Sequence, residues 1–241
     1  MSNTSTSIPA STQPGDRYNV AKQVAAYVRK ARRKHVPSDV EQKAVHCIFD
    51  LIVATLTSIN SNGAVATRKT ARRISPRGAA NIWFTDLRSS SLHAAWANTI
   101  AAAAADLDDG TRSAEGHRGA AVIQTAFAIG QEVGAPLVEI ITAIVIGYEI
   151  NVTIGAARKE FGVSITWCVF GVVAVVAALL DRKAEEIEHA LRIAGDHVPT
   201  CTPVEDPRLE GSNTKEGITW AVKTCITADM QAMNGHTGQR S

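Results

Sequence analysis

Apolar positions recur at helical spacing along most of this chain. Between Tyr18 and Arg33, the residues Val20, Val24, Tyr27, Val28 and Ala31 stand three or four apart. That period puts them on one face of an α-helix and leaves lysine and arginine on the other. Pro37 and Ser38 announce a second helix running to about Ser58, with Ser38 as its cap and Glu41 three residues on, the spacing of a capping box. SINSNGA reads as a turn, residues 64–74 as a basic amphipathic piece carrying Arg68, Lys69, Arg72 and Arg73, and SPRG as its break. ANIWFTDL reads as a short strand or extended segment. From Ser89 the alanine-rich run SSSLHAAWANTIAAAAAD predicts a closely packed helix that ends in the acidic turn DLDDGT.

The second half repeats this grammar. GAAVIQTAFAIGQEVG is a helix closed by Gly134, and PLVEIITAIVIGYEINVTIGAARKEFG starts with a proline in its first turn. Residues 162–180 carry no charge and approach the length of a membrane span. The flanks RKEFG and DRKAEEIEHAL, the second amphipathic, favour a buried central helix instead. Residues 183–194 are amphipathic, 199–214 form a loop bearing proline and threonine, and 214–234 make a last helix ending NGHTG. No fixed-period repeat is present. The pattern predicts an all-α, compact multi-helix bundle of eight or so helices over residues 17–241, after a polar, Ser/Thr-rich segment 1–16 read as disordered.

Composition narrows the class. The chain has 241 residues, 45% of them hydrophobic and only 5% aromatic, enough for a sizeable core and unlike a many-stranded β protein. Net charge is +2, yet basic residues exceed acidic ones by seven over residues 1–120 and fall short by five over 121–241. That asymmetry suits an anionic ligand near the first half. Cys47, Cys168, Cys201 and Cys225 form no C-x-x-C pair, so neither a zinc site nor a disulfide framework is signalled, and a cytoplasmic or mitochondrial setting is expected. KARRKH and the RKTARR face lack aromatic interleaving and any recognition motif, which argues against nucleic-acid binding.

The densest polar cluster is ADLDDGTRSAEGHRGAAV, where Asp106, Asp108, Asp109, Thr111, Glu115 and His117 fall between two alanine-rich helices. A carboxylate near an imidazole can orient it and raise its pKa, as a general acid or base requires. On the residues alone the favoured reading is that these aspartates cap the next helix and solvate the loop. Gly119, Ala120 and Ala121 would let that helix present its N-terminus to a bound anion. His35, His46, His93, His189, His197 and His236 stand alone and read as structural, and Trp83, Trp96, Trp167 and Trp220 as core or interface fillers.

In order, the amphipathic first helix, NxxxAxAxDLDDG, GHRGAAV, the GYE helix, VFGVVAVVAALL, EEIEHALRIAG and GSNTKEG resemble the MmgE/PrpD family over roughly residues 18–238. Its members include 2-methylcitrate dehydratases, cis-aconitate decarboxylases and an iminodisuccinate epimerase. The resemblance implies a large helical domain, acid/base chemistry on di- or tricarboxylates without metal or other cofactor, and a homodimer. It makes His117 the acid/base, Asp106 its partner or a substrate contact, and Lys215 a carboxylate anchor, with Thr111 at a position often Thr or His. Arg118 stands where the family usually has proline and could add positive charge. The family's second histidine has no counterpart in GVSITWCVFG, and its second α/β domain would lie beyond GHTGQRS. Two functions follow: a lyase that dehydrates or decarboxylates a citrate-like or alkylcitrate-like acid, or a catalytically impaired homologue that dimerises with a full-length member. Neither involves a membrane.

Overall fold

The structure, a computed structural model, describes residues 19–111, 116–157, 166–199 and 217–239. Among these are nine helices: α1 (Val20–Ala31), α2 (Ser38–Ser58), α3 (Asn62–Ile74), α4 (Ser91–Ala103), α5 (Gly119–Val133), α6 (Leu137–Ala156), α7 (Thr166–Leu179), α8 (Ala184–His197) and α9 (Ile218–Met233). Two antiparallel pairs of two-residue strands accompany them: β1 (Ala80–Asn81) with β2 (Arg88–Ser89), and β3 (Gly110–Thr111) with β4 (Gly116–His117). The all-α expectation holds. The segments 1–16 and 199–214 lie wholly or almost wholly outside the described residues.

Helix ends follow local chemistry, with one departure from the sequence reading. Asn19 caps α1 by accepting from the Lys22 amide at 3.0 Å, and Ser61 caps α3 through Ala64. At α2 the capping position belongs to Pro37, which is extended, and Ser38 is already helical. The Ser38–Glu41 box therefore does not form; the Glu41 amide donates to the Pro37 carbonyl instead. The reach-back of a third-position glutamate occurs at α8, where Glu186 accepts from the Lys183 amide at 2.9 Å. Gly134 closes α5 with φ of 68°, a left-handed conformation that glycine adopts without Cβ strain.

The charge-free run folds as the centre of the molecule. In α7, Cys168, Val169, Val172, Val173, Ala174, Val175, Val176 and Ala177 have no exposed surface, and α5, α6, α8 and α9 all pack on this helix. Its 14 residues extend about 21 Å, short of the ~30 Å that a bilayer core demands. Helix α6 is long and apolar enough to cross a membrane, but Ile140, Ile141, Ile144, Ile146 and Ile150 are spent on the protein interior. The close approach of α6 to α7 depends on Gly147, because a Cβ there would come within 2.6 Å of Val175 and 2.9 Å of Val122.

Ionic staples fix the periphery. Arg182, in the α7–α8 turn, holds the buried Asp229 of α9 through Nε at 3.1 Å and Nη2 at 2.8 Å. Arg29 and Arg32 of α1 both reach Asp181, and Arg32 also donates to the Ala178 carbonyl at the end of α7. The outward face of α2 is different in kind: Phe49 (62% exposed), Val53 and Leu56 stand on it with no partner element among the described residues.

Candidate active site

The acidic cluster forms a structured corner between α4 and α5. The chain leaves α4 through Asp106, whose φ of 59° is tolerable for an aspartate, and enters the β3–β4 hairpin, where Gly110 pairs with His117 and Thr111 with Gly116. Two residues beyond β4 the chain becomes α5 at Gly119. The sequence reading left this region a loop; strands two residues long leave too little alternation to be recognised.

His117 is ringed by acid. Its Nδ1 lies 2.8 Å from the main-chain carbonyl of Asp108, an oxygen that only accepts, so Nδ1 carries a proton. The Asp108 carboxylate is 3.4 Å from the same nitrogen, and the Asp106 carboxylate is 3.4 Å from Nε2 on the other side of the ring. The Asp108 side chain is 1% exposed, its Oδ2 has no hydrogen-bond partner among the described residues, and the imidazole is 31% exposed. The hydrogen bond to Asp108 is the largest influence on the ring; with the further pull of Asp108 and Asp106 it outweighs burial and lifts the imidazole pKa to about 9. At neutral pH the ring is a cation. The three groups present ligand atoms within 4.8 Å of one another, a spacing that would admit a small cation, and the protonated imidazole offsets one of the two carboxylate charges.

Asp109 turns the other way. Its Oδ1 accepts from the Gly119 amide at 2.9 Å, so the chain's own carboxylate takes one of the donors at the α5 N-terminus that the sequence reading offered to a bound anion. Tyr148 of α6 sets its buried hydroxyl beside Asp109 and Cys47, just outside the geometry of a formed hydrogen bond. Desolvation pushes the Asp109 carboxyl up, and Tyr148 and the Gly119 amide draw it back.

The structure thus brings His117 together with Asp106, as the family positions imply, and adds Asp108, which sequence reasoning placed in the cluster without a role. Thr111 sits half-buried at the hairpin's end. Arg118 is fully buried: its guanidinium donates to the Gly116 carbonyl and lies near the Cys168 thiol, which burial raises to about 12 against the guanidinium's opposite pull. That placement makes it part of the wall behind the site. Lys215 and Glu115 lie outside the described residues, as does 162–164, the position without the family's second histidine. The histidines read as structural include His93, which bonds Ser90 at 2.9 Å and meets the edge of Trp96, and His197, bonded to the Ile193 carbonyl. Trp96 and Trp220 pack together, with the Lys223 ammonium over both rings.

No curated protein matches the chain. A family model does: the one described as MmgE/PrpD N-terminal domain matches residues 22–241. With the helical fold and the Asp106–His117 corner on the same stretch of chain, this protein belongs to the MmgE/PrpD family through that family's N-terminal domain.

Proposed function

We propose that the chain carries the proton-transfer half of a lyase site for a citrate-like or alkylcitrate-like acid, with His117 as the proton donor. The observation that supports this most directly is the imidazole held as a cation by Asp108, with Nε2 on the side of the half-exposed Asp106. Because Nδ1–H is committed to the Asp108 carbonyl, the exchangeable proton is the one on Nε2. In a dehydration that proton passes to the departing hydroxyl, which leaves as water, and Asp106 is the nearby base for the proton on the adjacent carbon. In a decarboxylation carbon dioxide departs and the same proton quenches the carbanion. A cationic ring also favours a polyanionic substrate in the ground state, and Lys215 is the further anchor that the family position supplies. Thr111 and Arg118 complete the set, Thr111 as a rim contact and Arg118 as positive charge from behind.

The test is direct. Purified chain is followed by proton NMR with citrate, 2-methylcitrate and cis-aconitate; His117→Ala lowers turnover by about two to four orders of magnitude, the span for loss of a general acid or base. Equal rates in the two proteins would remove the role of His117. A second reading has its own support: Phe49, Val53 and Leu56 form an apolar face left uncovered by the described residues, as expected of a chain that pairs with a copy or a homologue. On that reading the chain shows no turnover alone and gains it with a full-length family member.

A further inference from the structure

The β3–β4 ladder consists of two residue pairs, Gly110 with His117 and Thr111 with Gly116. An isolated hairpin of ordinary length is at best marginally stable in water, so a ladder this short needs an external hold if it is to keep the imidazole in one place. Asp109 immediately precedes the first strand and Gly119 follows the second by two residues. The 2.9 Å bond from the Gly119 amide to Asp109 Oδ1 therefore closes the base of the hairpin and fastens it to the first turn of α5.

We propose that Asp109, backed by Tyr148, is the positioning residue for His117: its carboxylate ties the hairpin to α5 and so keeps the imidazole against Asp108. This rests on the reading of His117 as the proton-transfer group. Three features of the structure converge on it. A carboxylate at a helix N-terminus is favoured by the helix dipole, so the tie is stronger than a neutral one. Space is reserved for it, since a Cβ on Gly119 would fall 2.2 Å from Asp109 Oδ1 and 2.8 Å from the Tyr148 hydroxyl. Tyr148, beside the Asp109 carboxylate, comes from a separate helix that buries Ile140, Ile141, Ile144, Ile146 and Ile150, so the tie is referred to the interior. The groups that set the ring's charge are Asp108 and Asp106; Asp109 is engaged at Gly119 instead and acts on the ring only through geometry.

The experiment titrates His117 in the intact chain by NMR of labelled histidine, its signal assigned with His117→Gln. Asp109→Ala lowers the midpoint from the wild-type value by about 1 pH unit or more, toward the ordinary imidazole range. Asp109→Asn keeps an oxygen to accept from Gly119 and holds the midpoint within about 0.3 of wild type, on the geometric account. An unchanged midpoint in Asp109→Ala overturns the proposal, and so does an equal drop in both variants, which would show charge acting in place of geometry. Gly119→Ala leaves Asp109 in the sequence but takes its space; it reproduces the drop, and carries the test where Asp109→Ala does not fold. The two readings fail separately. A wild-type midpoint near the ordinary imidazole value would count against proton donation by His117, whereas the tie is read independently from Gly119 amide exchange, fast in Asp109→Ala and slow in wild type and Asp109→Asn. Equal exchange in all three overturns the tie.

Discussion

Raising the pH from 6 to 10 removes the stabilisation that the charged His117 draws from its two aspartates. The folded-state pKa is about 9 against 6.5 for the free side chain. A gap of about 2.5 units corresponds to about 3.4 kcal/mol at 1.36 kcal/mol per unit. The ring is 31% exposed, so solvent screening reduces the usable figure to about 2 kcal/mol. The sign follows from the direction of the shift. A raised pKa means the folded state binds the proton more tightly, so the contribution is complete below about pH 6.5 and is lost as pH climbs through about 9. The assay is urea unfolding of wild type and His117→Gln at intervals from pH 6 to pH 10, where the quantity of interest is the difference between the two proteins. That difference shrinks by about 2 kcal/mol across the range, with most of the change between pH 7 and 9.5. A difference that stays constant, or one that grows with pH, would refute the claim that the aspartates hold the ring as a cation.

Three further outcomes are expected. Asp229→Ala leaves the largely buried Arg182 guanidinium without its carboxylate and costs about 3–5 kcal/mol in denaturant unfolding, while Arg182→Met with Asp229→Leu together come within about 1 kcal/mol of wild type. Gly147→Val forces α6 away from α7 and lowers stability by about 2 kcal/mol or more in a thermal melt, whereas Gly195→Ala, with open space around it, leaves the melt nearly unchanged. Phe49→Ser with Val53→Ser leaves the circular dichroism intact and reduces association measured by light scattering, since both side chains lie on the uncovered face of α2.

The helices were legible because a period of three and four survives in sequences whose outer faces are polar, as in α1 and α8. Helix α7 was legible for the opposite reason: an unbroken apolar run between charged flanks has no outer face to show. The capping box at Ser38 misled because Pro37, with its fixed φ, takes the capping position itself, and a spacing rule does not register which residue enters the helix first. Asp106 and His117 came from family positions, and the residues alone left a cluster that could have been mere solvation. That Asp108 faces the ring while Asp109 faces Gly119 depends on the left-handed turn at Asp106 and on the hairpin register, neither of which is written in the order D-L-D-D. Tyr148 was out of reach for another reason, since it meets Asp109 only when α6 folds back across α5.

The clamp that Arg29 and Arg32 place on Asp181 joins positions about 150 residues apart, and α1 buries Val24, Ala25 and Val28 chiefly against α7 and α8. During synthesis at about 5–20 residues per second, the first helix is therefore made roughly 8–30 s before its partners exist. Through that interval its apolar stripe faces water or a chaperone, and the arginines beside it keep the nascent segment charged until the docking surface leaves the ribosome.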